Sequence, residues 1–122
     1  RVGAQKRNSS PPFFEKRIKK PQKIPNLSNI TKLACGSNHT LAINSDGVAF
    51  GWGSNSNLQL SHEQEFATVD NPLIAVFSPI RIDKNMAGNI VTDVAAGDEF
   101  SMFVTRNRHN RETEVFGCGH NL

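Results

Sequence analysis

The 122-residue sequence contains no tyrosine, one tryptophan and two cysteines. Two cysteines are too few for the disulfide framework that stabilises many small secreted domains. We therefore expect Cys35 and Cys118 to be free thiols in a reducing, intracellular compartment. No run of about 18 to 20 apolar residues is present either, so the sequence predicts no transmembrane segment.

Acidic residues are scarce at the start of the chain. Residues 1–29 contain eight Lys or Arg and a single Glu, whereas the remaining residues contain six basic and ten acidic side chains. Four prolines in this segment oppose regular secondary structure, which predicts an extended basic arm or linker. The candidate contacts for a polyanion or a protein partner are Lys16, Arg17, Lys19, Lys20 and Lys23. Two alternatives remain open: these charges bind phosphate groups such as those of a nucleic acid, or they belong to a solvated linker.

The rest of the chain contains nearly the same sequence twice. Residues 33–43 (LACGSNHTLAI) return as residues 94–104 (VAAGDEFSMFV), and residues 50–55 (FGWGSN) return as residues 116–121 (FGCGHN). Self-similarity with a period of several tens of residues is typical of repeat architectures. We divide this part of the chain into a first repeat at 30–89 and a second, truncated repeat at 90–122.

Each repeat has the pattern of a meander of short antiparallel strands, because apolar and polar residues alternate between turn signals. Asp46-Gly47 predicts a type I′ hairpin turn in the first repeat. The predicted strands are 30–36, 39–43 and 48–52, then a short strand at 79–82, and finally 90–97, 100–105 and 112–117.

A long insertion, residues 54–79, interrupts the first repeat. It ends in an apolar run, PLIAVFSP at 72–79, and its length exceeds that of an ordinary connection. One interpretation is an anchor for a protein partner, formed by Leu73, Ile74, Val76 and Phe77. The alternative is that this run packs on its own repeat.

The repeat resembles that of the regulator of chromosome condensation family. The family pattern is approximately Val/Ile-x-x-Val/Ile-Ala-x-Gly-x-x-His-Thr-x-Ala-Leu, followed by Asp-Gly-x-Val-Tyr-x-Trp-Gly-x-Asn-x-x-Gly-Gln-Leu-Gly. Here it reads ITKLACGSNHTLAI at 30–43 and DGVAFGWGSNSNLQLS at 46–61. Leu58 and Ser61 replace two glycines of the pattern, Phe100 replaces the histidine, and Cys118 replaces the tryptophan. The resemblance extends over residues 30–122 and does not include the basic arm.

This resemblance implies an all-β fold: a partial β-propeller of about two four-stranded antiparallel blades, preceded by the extended basic arm. Family propellers usually have seven blades, and each blade buries its faces against its neighbours. Two repeats cannot close such a ring, so we expect the remaining blades to lie outside this chain, which would then be a fragment of a longer protein.

The residues whose side chains are most typical of catalytic sites occupy positions at which the two repeats differ. The slot of His39 contains Phe100 in the second repeat, which indicates a packing position. The glycines recur at matched slots, where they permit positive φ and close packing. We therefore predict no catalytic, cofactor-binding or metal site. The structural repeat positions are Gly36, His39, Trp52, Gly53, Gly97, Phe100, Gly117 and Gly119.

The sequence thus predicts a non-catalytic protein-interaction scaffold, such as an assembly factor or a ribosome- or chromatin-associated factor. Its partner would be a protein, for example a small GTPase or a larger assembly, with nucleic acid as a further partner of the basic arm. The alternative function that the resemblance implies is guanine-nucleotide exchange on a small GTPase. For the compartment, nucleus and mitochondrion remain equally open.

Overall fold

The computed structural model describes residues 18–60 and 75–120. Within these ranges all regular structure is β, in two antiparallel sheets with strand orders β1-β2-β3-β4 and β5-β6-β7. The all-β prediction is therefore confirmed. Four of the candidate contact residues, Lys16, Arg17, Leu73 and Ile74, lie outside the described residues. The strands are β1 Ile30–Cys35, β2 His39–Asn44, β3 Ala49–Ser54, β4 Ala75–Arg81, β5 Ile90–Ala96, β6 Phe100–Arg106 and β7 Thr113–Gly119.

The β2–β3 hairpin has a different turn from the one predicted. Gly47 adopts φ 79°, but Asp46 does not adopt a positive φ, so the type I′ prediction is wrong. Instead, the side chain of Asn44 organises the turn, because its Oδ1 accepts hydrogen bonds from the backbone N–H groups of Asp46 and Val48, both at 3.0 Å. A local side-chain acceptor replaces the second left-handed residue that a type I′ turn would need.

The fourth strand of the first sheet begins earlier than the sequence predicted. Residues 75–81 pair with β3 as an edge strand, so much of the apolar run belongs to the blade. Val76 is 6% exposed within the core, whereas Phe77 on the opposite face is 44% exposed. Val76 is therefore excluded as a surface contact. Pro79 lies in the irregular stretch of this pairing, between the Val76–Gly53 and Ile80–Gly51 pairs, where a proline is tolerated on an edge strand.

A single apolar core lies between the two sheets. Leu41 and Ile43 from β2 meet Phe103 from β6, and all three side chains are 2% exposed or less. Leu60, which follows β3, is completely buried with them. Full burial of a side chain of this size contributes about 1.5–3 kcal/mol. The other buried members of the cluster are Ala49, Val76, Ile82, Met86 and Val91.

The segment after β3 contains a residue in an unfavourable backbone conformation. Leu58 has φ 63°, a left-handed conformation that L-residues with large side chains seldom adopt. Its neighbour Gln59 is 1% exposed and Leu60 is completely buried. Leu58 stands where the repeat pattern has glycine, which explains why glycine suits this slot: the chain must turn here to bring the next two side chains into the core.

Candidate interaction surfaces

The two sheets are joined by a buried chain of polar contacts. Nε2 of His39 lies 3.0 Å from Oγ of Ser101, and Oγ of Ser101 donates to the backbone carbonyl of Gln59 at 2.6 Å. Both side chains are buried, at 3% exposed for His39 and 0% for Ser101. His39 thus connects β2 of the first sheet to β6 of the second and, through Ser101, to the segment that follows β3.

The contacts of Ser101 also fix the tautomer of His39. A serine hydroxyl has one proton, and Ser101 donates it to Gln59. Ser101 must therefore accept from His39, so Nε2 carries the imidazole proton. Nδ1 is buried without a hydrogen-bond partner among the described residues. Burial lowers the pKa of His39, and the backbone of Phe100 opposes this shift only in part. His39 is thus a neutral structural residue.

The matched glycines create the space for these aromatic slots. A Cβ on Gly36 would lie 2.2 Å from Cε1 of His39, and a Cβ on Gly97 would lie 2.1 Å from Cε1 of Phe100. Each ring therefore packs directly over the glycine three residues before it. His39 also pairs with Gly53 across its sheet, and Phe100 pairs with Gly119 in the same way.

These two paired glycines are required by their backbone. Gly53 and Gly119 adopt φ values of 103° and 116°, which residues with a Cβ atom rarely adopt. A Cβ on Gly53 would also lie within 3 Å of backbone atoms of Asn38 and His39. A Cβ on Gly119 would lie equally close to backbone atoms of Glu99 and Phe100. By contrast, a Cβ on Gly117 would meet nothing closer than 3.5 Å. The remaining repeat position, Trp52, is partly buried and packs against the core cluster.

Contacts between the sheets continue at their rims. Ser37 donates from its backbone N–H to the carbonyl of Asp98 at 3.1 Å and from Oγ to Oδ1 of Asp98 at 3.0 Å. Nζ of Lys32 lies 3.8 Å from Oδ1 of Asp93, and both side chains are about half exposed. An exposed ion pair of this kind contributes about 0–1 kcal/mol, so the apolar core and the buried polar chain dominate.

The outer face of the second sheet is apolar and open. Phe100 and Met102 are each 41% exposed, and Val115 is 60% exposed. A groove of about 890 Å³ extends from Asp98 and Glu99 over this face. On the far side of the molecule, Leu33 of the first sheet is 64% exposed. Sequence reasoning identified Phe100 as a packing position but did not identify Met102, Val115 or Leu33 as surface residues.

The described part of the basic arm is also a surface. All residues from 18 to 26 are exposed, including Lys19, Lys20 and Lys23. Ile18 is 63% exposed and Ile24 is 44% exposed, so apolar side chains lie among the lysines. The segment ends at Asn29, whose carbonyl accepts a hydrogen bond from the backbone of Ser45 at 2.9 Å.

No group of three metal-ligating side chains occurs in the part of the chain that the structure describes. The same part contains no helix that could span a membrane. Its two cysteines, Cys35 and Cys118, are not joined by a disulfide bond. Within this part, the buried contacts of His39, Ser101 and Gln59 join the two sheets.

Comparison with known proteins identifies the repeat. The regulator of chromosome condensation (RCC1) repeat matches residues 2–43 and 46–104, and a second description of the same repeat matches residues 30–59. The chain belongs to the RCC1 repeat family. The match begins at residue 2, inside the basic segment that the sequence analysis placed outside the repeats, so the resemblance extends further toward the start of the chain than predicted.

Curated relatives place this family membership in context. The chain is 40% identical over 91 residues to Protein RCC2 from Homo sapiens, covering 73% of this chain and 16% of the relative. It is 30% identical over 89 residues to the Regulator of chromosome condensation from Xenopus laevis, covering 72% of this chain and 19% of the relative. The chain thus spans less than a fifth of the length of these relatives.

Solved structures of the family share the fold. Human WBSCR16 superimposes with a TM-score of 0.55 at 25% identity, over 75% of this chain and 20% of that one. Prp20p from Saccharomyces cerevisiae, described together with its binding to Gsp1p and histones, superimposes with a TM-score of 0.55 at 21% identity. That superposition covers 78% of this chain and 22% of Prp20p. The two sheets therefore correspond to blades of an RCC1-type propeller.

Proposed function

We propose that this chain is a non-catalytic interaction module, in which two propeller blades hold an exposed basic and apolar segment for a protein partner. The observation that carries the proposal is the uninterrupted exposure of residues 18–26. Lys19, Lys20 and Lys23 would pair with acidic groups of the partner, and Ile18 and Ile24 would supply apolar contact.

The rest of the molecule supports a scaffold role. The buried side chains of His39 and Ser101 meet between the two sheets and hold them together. Phe77 on β4 is an exposed aromatic side chain outside the basic segment, and a partner could also cover it. Anchor residues of this type contribute most of the energy in protein interfaces. The relatives named for chromosome condensation favour the nucleus as the compartment.

A direct test uses a defined partner and a charge-neutral variant. Gsp1p is a suitable probe, because the structure report of Prp20p describes its binding. We expect Gsp1p to bind the chain in a biolayer interferometry titration. The triple substitution Lys19→Gln, Lys20→Gln and Lys23→Gln should weaken that binding at least about tenfold, or about 1.4 kcal/mol.

The matched control removes the same charge elsewhere. Lys84, Arg106 and Arg111 are exposed and lie outside the basic segment, so their replacement by Gln should leave the affinity unchanged. If both triple variants lost the same affinity for Gsp1p, the loss would be explained by net charge alone. That result would contradict a specific role for residues 18–26. A duplex DNA titration in parallel distinguishes a nucleic-acid partner, whose binding would fall steeply with added salt.

The second candidate function is guanine-nucleotide exchange on a small GTPase. It is favoured by family membership together with the reported binding of Prp20p to Gsp1p. Exchange would work by distorting the nucleotide site of the bound GTPase, without covalent chemistry by the blades. Release of a fluorescent guanine nucleotide from Gsp1p measures this activity. Binding without faster release supports the scaffold, and acceleration that depends on this chain supports exchange.

A further inference from the structure

Serine is followed directly by proline at two positions of this chain, Ser10 and Ser78. Only Ser78 also has a basic residue three positions later, in the sequence SPIR at 78–81. The corresponding residue after Ser10 is Phe13. A serine that is followed by proline and then by a basic side chain has the substrate pattern of proline-directed protein kinases. Ser78 is thus the serine whose sequence suits such a kinase best.

Each residue of this pattern has a physical role in recognition. Proline has no backbone N–H, and its ring restricts the preceding residue to extended conformations. A kinase subsite that takes the ring of Pro79 therefore selects an extended segment and needs no acceptor for an N–H group. The guanidinium of Arg81 carries its donors in a planar fork that suits carboxylate or phosphate groups. Pro79 and Arg81 thus define the conformation and the charge that the kinase recognises.

Ser78 lies in a bulge of β4. The pairing of β4 with β3 has one pair on either side of this bulge, Val76–Gly53 and Ile80–Gly51. Three residues of β4, 77–79, therefore face a single residue of β3, Trp52. Because β4 is the edge of its sheet among the described strands, the additional residues are accommodated away from β3. Ser78 is exposed, in the middle of this bulge.

The position of β4 in the molecule keeps this bulge apart from the faces that neighbouring blades cover. The strands of the first sheet that chiefly contact the second sheet are β1 and β2, which meet β5. Strand β4 lies at the opposite edge of the sheet from β1. Successive sheets therefore meet mainly along their first strands, and β4 forms an outer edge. The exposure of Ser78 follows from its place on that edge.

Arg81 is held in a defined position beside the bulge. Its Nε donates to Oδ1 of Asp83 at 2.7 Å. The side chain of Asp83 is only 5% exposed, whereas that of Arg81 is 59% exposed. The buried carboxylate thus orients the guanidinium, and much of the Arg81 side chain stays open to a partner three residues after Ser78.

We propose that Ser78 is a phosphorylation site for a proline-directed protein kinase. Oγ of Ser78 forms a bond to the γ-phosphorus of Mg²⁺-bound ATP, the bond from that phosphorus to the β–γ bridging oxygen breaks, and ADP leaves. The hydroxyl proton passes to a catalytic base of the kinase. The product carries a charge of about −1.5 to −2 at neutral pH, next to Phe77, which is 44% exposed. The modification therefore turns an apolar edge into an anionic one, and it does not depend on the proposed partner of the basic segment.

Incubation of the chain with a purified cyclin-dependent kinase, its cyclin and Mg²⁺-ATP tests the site. We expect intact-mass spectrometry to show the addition of a phosphoryl group and fragmentation spectra to locate it on Ser78. Ser78→Ala should abolish this product, and it should retain the circular dichroism spectrum of the wild-type chain because the position is exposed. Ser10→Ala, at the other serine that precedes a proline, is the matched control and should retain the product.

Two further variants test how the kinase recognises the site. Pro79→Ala restores a backbone N–H after the serine, and Arg81→Gln removes the cation. Each should lower the initial rate of phosphorylation at Ser78 at least about tenfold, the size of effect expected for one lost charge-assisted or subsite contact. Lys84→Gln, at an exposed cation nearby, should leave the rate unchanged. Arg81→Gln in a synthetic peptide of residues 75–85, which has no tertiary structure to lose, should slow the reaction by the same factor as in the chain.

The same peptide shows whether the kinase reaches Ser78 in the folded chain. If phosphorylation required β4 to open, the rate on the chain would fall below the rate on the peptide by the equilibrium constant for opening. We expect the two rates to agree within about tenfold, and a larger deficit of the chain would overturn the proposal. Absence of phosphate on Ser78 of the wild-type chain, or equal rates for Arg81→Gln and Lys84→Gln, would overturn it as well.

Discussion

Nε2 of His39 donates to Oγ of Ser101 at 3.0 Å across the boundary between the two sheets. The same Oγ donates to the carbonyl of Gln59 at 2.6 Å, so one buried hydroxyl serves three segments of the chain. In the second repeat the slot of His39 contains Phe100, which makes no such contact across its open face. The repeat therefore uses either a hydrogen bond or an aromatic ring at this slot.

Removal of this hydroxyl should be costly. Ser101→Ala leaves the buried N–H of His39 without its partner, whereas the carbonyl of Gln59 still accepts a hydrogen bond from the thiol of Cys118 at 3.3 Å. A buried unsatisfied group costs about 1–3 kcal/mol. We expect the free energy of unfolding in urea to fall by an amount in this range. Ser45→Ala, at an exposed position, should change it little. In a His39→Phe background the cost of Ser101→Ala should be smaller, and equal costs in both backgrounds would rule out the coupling.

The stability of the chain should fall in mildly acidic solution. Burial lowers the pKa of His39 below its ordinary value, so the unfolded chain binds a proton at higher pH than the folded chain. The contribution of His39 is therefore fully present above about pH 6.5 and is lost as the pH falls below that value. Thermal unfolding from pH 7.5 to pH 5 measures this loss. His39→Phe should flatten the profile between pH 6.5 and 5, and an unchanged slope would exclude His39 as its source.

The space over Gly36 should not admit a methyl group. A Cβ there would lie 2.3 Å from the carbonyl oxygen of Gly97 as well as against the ring of His39. Because a backbone atom of the other sheet cannot move away easily, Gly36→Ala should lower the free energy of unfolding by about 1–3 kcal/mol. Gly117→Ala is the matched control, since its nearest neighbour would be 3.5 Å away. Comparable losses at the two positions would contradict the close approach of the sheets.

Replacing Leu58 by glycine should stabilise the chain. Leu58 has φ 63° and a side chain that is 42% exposed, so little packing is lost. Relief of the left-handed conformation exceeds the added backbone entropy of glycine by about 0.5–1 kcal/mol. Urea unfolding should therefore shift to higher denaturant concentration. Ser56→Gly, at an exposed residue without positive φ, should shift it to lower concentration. A loss of stability in both variants would show that Leu58 has an unrecognised packing role.

Much of the fold could be predicted from the two copies of the repeat. The starts of β1, β2, β5 and β6 coincide with the predicted strands, because alternating side chains between Gly-containing turns leave few other arrangements. The β2–β3 turn could not be predicted in the same way. Asp46-Gly47 has the composition of a type I′ turn, but the side chain of Asn44 competes for the same backbone donors and forms a different turn.

The apolar run before Pro79 shows a second limit. Sequence alone could not decide between a partner anchor and packing on the blade. Both require a run of apolar residues, so the composition of the run is the same in either case. Pairing with β3 decides the matter residue by residue: Val76 turns into the core, and Phe77 turns outward.

By itself the sequence determined the repeat, the starts of β1, β2, β5 and β6, and the interchangeability of His39 and Phe100, because these are local patterns that recur at fixed spacing. Only the tertiary structure decided that His39 bonds to Ser101, that Gly36 lies against Gly97, and that Met102 and Leu33 are uncovered. These relationships depend on how one sheet is placed on the other. That placement is set by the burial of Leu41, Ile43, Leu60 and Phe103 in one core, which no pattern within a single strand specifies.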